Sequence, residues 1–320
     1  MRLKLALVWL AILTIAANAE PVAISASPLN SFGNLSDTPF QWRGGLILSS
    51  ADKNFGGLSG LALSNDCTGL LAVSDAGRWF RASLQYGKGA LANISQSELA
   101  PMFDSAGNPP KSKRRGDAEA VANLGDGRYM VGFESRTRIG FYDIGKAGLK
   151  AHFQLLKSPK AIAGGPSNGE VESVGQFKRG PWQGHYLAIS EHHLDGDGNI
   201  RGWLWQSSQT VPFAIKRLED YSITDAAILP SGDVIILERS FGASLLPGMA
   251  IRRIEASAIK NGGTVDPELL FAGRALFYAI DNMEGVALCE RDGETRLTIV
   301  SDNNFSPRQR TLLLQFAYEP

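Results

Sequence analysis

Two short apolar runs joined by a glycine turn, residues 283–288 (MEGVAL) and 297–302 (LTIVSD), make up the unit on which the fold depends. Runs of four to eight residues that are rich in valine, isoleucine and leucine and are bounded by turn residues predict β-strands. The intervening Asp292 and Gly293 are residue types that accept the positive φ of a tight hairpin. The stretch therefore predicts a β-hairpin with one acid near the start of its first strand and another at the end of its second.

The same unit occurs four more times in the chain. The earlier first strands are residues 58–63 (LSGLAL), 118–122 (AEAVA), 171–174 (VESV) and 224–228 (TDAAI). The second residues of the five runs are 53 to 60 positions apart, and each run is followed by a turn and another apolar strand. Further strand-like runs complete each unit. Four strands at a period of about 40 to 60 residues are typical of a β-propeller blade.

The pattern thus predicts an all-β fold, a β-propeller with four-stranded antiparallel blades. Five blades are favoured, and six are possible if one more lies in the irregular stretches 81–116 or 255–282. The strand-like residues 42–48 and 311–318 flank the series. Pairing them in one blade would close the ring and remove free sheet edges.

The N-terminus predicts export. Arg2 and Lys4 precede the apolar residues 5–15, and residues 17–19 (ANA) form a small-residue cleavage site. We therefore expect a signal peptide at 1–19, a lead-in at 20–41 and one propeller domain at 42–320, with the mature protein periplasmic or secreted. No other apolar run is long enough to span a membrane as a helix. With 32 Lys+Arg against 32 Asp+Glu, a strongly basic nucleic-acid binder is excluded. The oligomeric state is left open.

The two cysteines, Cys67 and Cys289, fall toward the hairpin ends of innermost strands in blades that ring closure makes neighbours. An oxidising compartment permits them to form a disulfide, and closing so long a loop is worth about 4 to 5 kcal/mol in the entropy model. Two buried thiols are the alternative. Scattered histidines and the lack of a CxxC motif argue against zinc.

The repeat gathers acids at one end of the ring, because the start of a hairpin's first strand and the end of its second lie together. Converging like charges need protonation, pairing with arginines, or a hard cation to offset their repulsion. Oxygen ligands without histidine or cysteine favour Ca²⁺. The candidate calcium ligands are Asp75, Glu119, Glu172, Asp225, Glu284 and Asp302. Salt bridges that fasten blade to blade are the competing explanation.

Arginines follow several of these acids in sequence and are candidates for holding an anionic substrate in bidentate fashion. The predicted substrate-binding residues are Arg78, Arg138, Arg239 and Arg308. Glu191 and His192 stand at the same end and are candidates for moving a proton, with Arg239 as the third predicted catalytic residue.

Seven segments together resemble the phytase-like family of exported bacterial proteins, also described as "esterase-like activity of phytase". They are residues 43–46 (RGGL), 55–61 (FGGLSGL), 74–77 (SDAG), 117–120 (DAEA), 237–241 (LERSF), 281–285 (DNMEG) and 301–306 (SDNNFS). The resemblance extends from about residue 43 to the C-terminus. It implies a propeller and suggests calcium-assisted hydrolysis of phosphate or carboxylate esters.

The sequence therefore predicts an exported propeller that acts on a small anionic or ester substrate at an acid-rich face. In this hypothesis the metal polarises the phosphoryl or acyl oxygen and activates water, and a carboxylate or His192 moves the proton. Two alternatives stay open. One is a non-catalytic periplasmic propeller that binds a ligand or partner. The other is a lactonase-type propeller, which would prefer cyclic esters.

Overall fold

The computed structural model describes residues 19–166, 169, 171–241 and 246–319, and the regular secondary structure of these residues is almost entirely β. The predicted signal peptide, except for residue 19, lies outside the described residues. Within the described residues, twenty-three strands form five sheets. The short helices are Lys113–Gly116, Ile144–Ala147, Gly148–Lys150, Lys160–Gly164 and Ala256–Ala258. No helix within the described part of the chain is long and apolar enough to cross a membrane.

Each sheet is one blade of a five-bladed β-propeller. From the innermost strand outward, blade 1 consists of Leu58–Leu63, Gly69–Ser74, Arg78–Gly87, Ala90–Pro101 and Glu20–Pro21. In the same direction, blade 2 consists of Ala118–Gly125, Arg128–Phe133, Arg138–Asp143 and Gln154–Leu155. Blade 3 consists of Ser173–Gln176, Tyr186–Leu194, Ile200–Gln206, Gln209–Ile215 and Thr264–Val265. Blade 4 consists of Ser222–Ile228, Val234–Ser240, Gly248–Ile254 and Glu268–Arg274. Blade 5 consists of Met283–Arg291, Glu294–Ser301, Thr311–Tyr318, Phe40–Ser49 and Ser25–Leu29.

The innermost strands contact one another around the ring, from blade 1 through blade 5 and back to blade 1. Blade 5 closes the ring as predicted, because Phe40–Ser49 pairs antiparallel with Thr311–Tyr318. The lead-in also takes part: Glu20–Pro21 adds to the outer edge of blade 1 and Ser25–Leu29 to that of blade 5. The stretch 255–282 adds edge strands to blades 3 and 4, and the sheets of the described residues include no sixth blade.

The hairpin turns follow from the sequence at two places where a φ above zero is required. Asp126 and Gly127 have φ of 51° and 75°, and Asp292 and Gly293 have φ of 54° and 79°. Two successive positive φ values match the right-handed twist of the flanking strands in a two-residue hairpin. These turns fix which residues of the first and second strands face each other in blades 2 and 5.

Apolar side chains fill the spaces between neighbouring blades. The residues between blades 5 and 1 include Leu61, Leu70 and Leu313, together with both cysteines. Cys67 and Cys289 form a disulfide with a Cα–Cα distance of 5.4 Å. The bond joins the turn of the first blade to the innermost strand of the last, so it fastens the ring where the two ends of the repeat meet.

Candidate active site

A β-bulge near the start of the innermost strand recurs in the blades. The register with the second strand skips one residue in blades 1, 2, 4 and 5, namely Ser59, Glu119, Thr224 and Glu284. In blade 3, Glu172 and Ser173 both stand opposite Ile189, and the Glu172 N–H donates to the Ile189 carbonyl at 3.0 Å. A bulge inserts an extra residue and re-aims its side chain. Side chains at four of these five positions line one central cavity.

A second ring of side chains comes from the second strand of each blade. Each of these residues lies near the point where the second strand pairs with the start of the innermost strand. In blade 5, for example, Met283 pairs with Ser301, and Asp302 follows. The corresponding residues in blades 1 to 5 are Asp75, Glu134, Glu191, Arg239 and Asp302. All five line the same cavity. The structure therefore places the acids of four blades and the arginine of the remaining blade around one end of the channel.

Blade 4 departs from the sequence prediction by one residue. The repeat aligned Asp225 with Glu119 and Glu284, but Thr224 occupies the bulge. Asp225 does not line the cavity. Its carboxylate accepts 2.8 Å hydrogen bonds from the backbone N–H groups of Ala226 and Val286, which links the innermost strands of blades 4 and 5.

Glu238 is likewise one residue away from the cavity position of its blade, which Arg239 fills. Successive residues of a strand point to opposite faces. Glu238 is completely buried and accepts 2.6 Å hydrogen bonds from Nε and Nη2 of Arg252. The acid at the end of this second strand is therefore part of a structural ion pair inside the blade.

The cavity has a volume of about 600 Å³ and is strongly acidic. Its charged lining comprises Asp75, Asp117, Glu119, Glu134, Glu172, Glu191, Glu284 and Asp302 against Lys113, Arg114 and Arg239. Five of the six predicted metal ligands are in this set. Asp117, Lys113 and Arg114 are additions that the strand repeat did not predict, because they stand in the segment before blade 2. The adjacent basic run and the Asp-Ala-Glu sequence were the available signals.

Two groups of three carboxylates have oxygens within 4.8 Å of one another: Asp117 with Glu119 and Glu134, and Glu134 with Glu172 and Glu191. Oxygens that each lie 2.3–2.6 Å from a common Ca²⁺ are at most about 5 Å apart, so both groups have suitable spacing. Glu134 belongs to both groups and also accepts a hydrogen bond from the N–H of Gly169. These residues could hold a metal ion, and their oxygen-only donor set suits a hard cation.

Glu172 supplies a second indication that the cavity takes a cation. Glu172 is only 7 % exposed to solvent. Its side chain forms no hydrogen bond or ion pair with any of the described residues. A largely buried carboxylate that has no protein partner carries a desolvation cost. Burial, and then repulsion from the neighbouring Glu119, raises the pKa of Glu172 well above its usual value. A bound cation would offset both effects.

Other carboxylates in the cavity also have raised pKa values. Burial raises the pKa of Glu119, with Asp117 adding to the effect. Burial raises the pKa of Glu284 to about 8, although Arg239 opposes the change. The pKa of Asp302 rises to about 6, mainly through burial. Near neutral pH the metal-free cavity therefore keeps protons on part of its carboxyl set.

Arg239 lies between two of the acids. Its Nη1 is 2.8 Å from Glu284 Oε1 and donates to Asn282 Oδ1 at 2.7 Å, while Nη2 is 3.4 Å from Glu191 Oε1. The side-chain amide of Asn282 also donates to Glu284 Oε1 at 2.7 Å. Arg239 thus positions both carboxylates. On the opposite side, Lys113 Nζ is 2.6 Å from Asp75 Oδ2, while Asp75 Oδ1 is buried with no hydrogen-bond partner among the described residues.

Besides Asp225, four predicted site residues lie outside the cavity lining. His192 is exposed, with Nε2 at 3.3 Å from Glu191 Oε2. Arg78 is half-buried at the start of a blade 1 strand, and Arg308 is exposed in the loop after Asp302. Arg138 lines a separate cavity, where its guanidinium lies 3.7 Å from the centre of the Phe133 ring. Of the predicted arginines, the structure brings only Arg239 to the acids.

A family model described as "Phytase-like: Esterase-like activity of phytase" matches residues 53–305, which includes all five blades' cavity residues. The chain belongs to the phytase-like family. No curated protein matches the sequence.

Comparison with solved structures finds other proteins of low sequence identity. The PQQ-bound aldose sugar dehydrogenase from Streptomyces coelicolor is 13% identical, with 93% of this chain and 99% of that chain covered and a TM-score of 0.45. The α-L-arabinofuranosidase from Podospora anserina, in complex with cellotriose, is 9% identical, with 89% and 97% covered and a TM-score of 0.48. The Dos1 propeller is 13% identical, with 90% and 76% covered and a TM-score of 0.37. At this level of similarity, no function transfers from these proteins to the phytase-like chain.

Proposed function

We propose that this phytase-like propeller is a calcium-assisted hydrolase of phosphate or carboxylate esters, acting in the acid-lined cavity. The observation that carries the proposal is the buried Glu172, unpartnered among the described residues, which belongs to one of two carboxylate groups of ligand spacing. Glu134 is shared by both groups; Asp117 and Glu119 complete the first, and Glu172 and Glu191 complete the second. These residues would hold the ion. When bound, calcium supplies a Lewis acid that polarises the ester oxygen and favours ionisation of water.

The remaining cavity residues would donate a proton, position the carboxylates and attract the anionic substrate. Glu284, with a pKa raised to about 8, is mostly protonated at neutral pH and can donate a proton to a leaving oxygen. Arg239 holds the side chain of Glu284 at 2.8 Å and that of Glu191 at 3.4 Å. Lys113 and Arg114 enter the cavity from the segment before blade 2 and present positive charge to an anionic substrate. His192, exposed and outside the lining, is a weaker candidate for the proton.

Export is part of this proposal. The Cys67–Cys289 disulfide is compatible with an exported protein, because such bonds persist in oxidising compartments. The sequence of residues 1–19 supplies the secretory signal. A small anionic or ester substrate in the periplasm or outside the cell is the inferred partner of the cavity.

Calcium binding is tested by thermal and chemical unfolding with calcium and with chelator. Calcium at 100 times its Kd should stabilise the fold by about 2.7 kcal/mol. Glu172→Gln should lose this stabilisation. Glu290→Gln is the matched control, because Glu290 belongs to the same innermost strand as Glu284 but stands at the other end of the channel. Equal stabilisation of Glu172→Gln and the unaltered protein would contradict the metal site.

Hydrolysis is tested on phytate, simple phosphomonoesters, carboxylesters and lactones, each with calcium and with chelator. Turnover of an ester should require calcium and fall at least about 100-fold in Glu172→Gln. Calcium stabilisation with no turnover on the whole panel would instead assign a ligand-binding propeller. A preference for lactones over open esters and phosphates would assign the lactonase-type alternative.

A further inference from the structure

A second cavity, separate from the acid-lined one, lies between the segment before blade 2 and the strands of that blade. Its volume is about 250 Å³. The segment before blade 2 forms a shared wall: Lys113 and Arg114 line the acid cavity, whereas Lys111 and Arg115 line the second. No described residue lines both cavities, so the two sites can be tested independently.

The second cavity carries a surplus of positive charge. Its cationic residues are Lys111, Arg115, Arg136 and Arg138. Within the described part of the chain, none of the four forms an ion pair with a carboxylate. Among the described residues, Asp104 is the one acid in the lining, and its Oδ1 accepts 2.9 Å hydrogen bonds from the N–H groups of Ala106 and Asn108. Four cations and one acid leave three uncompensated positive charges around a small space.

Arg138 is held in place at the floor of this cavity. Its guanidinium lies 3.7 Å from the centre of the Phe133 ring and donates to the carbonyls of Arg136 at 3.1 Å and Arg115 at 2.6 Å. Those bonds use two of its five N–H donors. Burial lowers the pKa of Arg138 from its usual value, and the nearby Arg136 contributes to the decrease. The fixed guanidinium therefore carries a desolvation cost that no ion pair with a described carboxylate offsets.

We propose that this cavity binds a phosphate group, either as free phosphate or as the head of a small phosphate monoester. A dianion matches the three surplus charges better than a monoanion does. Arginine's planar fork of donors is suited to phosphate oxygens, and a 250 Å³ cavity has room for about eight water volumes, which accommodates a phosphate. Met102 and Phe153 provide an apolar side for the organic part of a monoester.

The test is calorimetric titration of the disulfide-intact protein with inorganic phosphate and with phenyl phosphate, in chelator to remove calcium. Either ligand should bind with a Kd below about 1 mM. The variants Lys111→Gln and Arg136→Gln should each weaken binding about tenfold or more. Both side chains are at the surface, so the variants should fold. Arg128→Gln, an exposed arginine at the other end of blade 2, is the matched control and should bind normally. Tighter binding of phenyl phosphate would identify a monoester site, and equal or tighter binding of inorganic phosphate would identify a free-phosphate site.

Two outcomes would overturn the proposal: no binding below about 1 mM for either probe, or equal affinity in the Lys111 and Arg136 variants. Retention of phosphate binding in Lys113→Gln and in Arg114→Gln, which remove cations of the acid cavity, would show that the ligand is not in that cavity, and loss of binding in either would overturn the proposal. As a check that needs no variant, phosphate should shift the backbone amide NMR signals of residues 133–138 in the unaltered protein. Unchanged signals there would also overturn the proposal.

Discussion

Blade 4 differs from the other four blades at both recurring positions, the bulge of the innermost strand and the cavity residue of the second strand. The other blades present a serine or glutamate at the bulge and an aspartate or glutamate after the second strand. Blade 4 presents Thr224 and Arg239. Its own acids, Asp225 and Glu238, are displaced by one residue and engaged inside the structure. Blade 4 therefore contributes a cation, Arg239, to a cavity to which the other four blades contribute acids.

The comparison also separates two kinds of buried acid. Glu238 is fully buried, and both of its oxygens accept hydrogen bonds from Arg252. Glu172 is nearly as buried and has neither a hydrogen bond nor an ion pair within the part of the chain that the structure describes. Breaking a buried ion pair is costly, whereas a carboxylate that has no protein partner and faces a cavity beside other carboxylates indicates a site for a ligand. Glutamate thus forms a structural ion pair in blade 4 and lines the acid cavity in blade 3.

Breaking the blade 4 pair should have the largest effect on stability. Arg252→Met leaves Glu238 buried without its partner and should lower the free energy of unfolding by about 3–5 kcal/mol. Denaturant unfolding measures this. Arg253→Met, at the next residue, is the matched control. Arg253 lies 3.4 Å from Asp233 and is partly exposed, so its loss should cost at most about 1 kcal/mol.

The double variant Glu238→Leu with Arg252→Met sharpens the test. Removing both charges together should recover much of the stability that the single variant loses, because no buried charge is left unpaired. A single Arg252→Met variant as stable as Arg253→Met would show that Glu238 is not held as the structure indicates.

The cavity acids should make the calcium-free protein less stable as the pH rises. Burial is the main cause that raises the pKa of Glu284 from 4.5 to about 8 and the pKa of Asp302 from 3.8 to about 6. Between these values the folded state binds more protons than the unfolded state, so stability is greatest at the acidic end and declines toward pH 8. Glu284 contributes at most about 1.4 kcal/mol per pH unit to the decline from pH 6 to 8, and Glu119 and Glu172, whose pKa values are also raised well above normal, contribute in the same direction.

Denaturant unfolding in chelator at a series of pH values measures this slope. Glu284→Gln should make the slope between pH 6 and 8 shallower, and saturating calcium should oppose the decline by favouring the ionised acids. Glu290→Gln, at the other end of the channel, should keep the slope. Stability that is constant or increases from pH 6 to 8 in the calcium-free protein would contradict the raised pKa of Glu284.

The sequence predicted the large-scale organisation because the repeat depends on hydrophobic runs and glycine turns that recur at visible spacing. It predicted the five blades and their closure by residues 42–48 and 311–318, and the structure confirms both. It also placed Cys67 and Cys289 in neighbouring blades, where the structure has a disulfide. Each of these conclusions needs only the order and length of the strands.

The side-chain details were less predictable because they depend on single-residue register. Residues 224–228 fit the repeat template with either Thr224 or Asp225 at the bulge, and a bulge leaves no mark in the hydrophobic pattern. A shift of one residue reverses the direction of a side chain. Asp117 and Lys113 reach the cavity from a connecting segment, whose course a strand repeat does not describe. Arg138 stacks on Phe133 in another cavity, and this position depends on tertiary packing that the sequence pattern does not show.

The smallest of the expected effects concerns Arg239, the cation of blade 4. After burial, the attraction of Arg239 is the leading influence on the pKa of Glu284, and it acts downward. Arg239→Gln removes a positive charge 2.8 Å from Glu284 Oε1, so the pKa of Glu284 should rise above about 8 by about one unit. NMR titration of the side-chain carboxyl signal measures the change.

Arg308→Gln is the control for this titration, because Arg308 is exposed and does not line the cavity. It should leave the pKa of Glu284 where it is. An unchanged pKa in Arg239→Gln as well would mean that another cation balances the acids, and Lys113, which lies 2.6 Å from Asp75 across the cavity, would be the next to replace. If the pKa of Glu284 rises in Arg239→Gln and not in Arg308→Gln, then Arg239 of blade 4 influences the protonation of a cavity acid in blade 5.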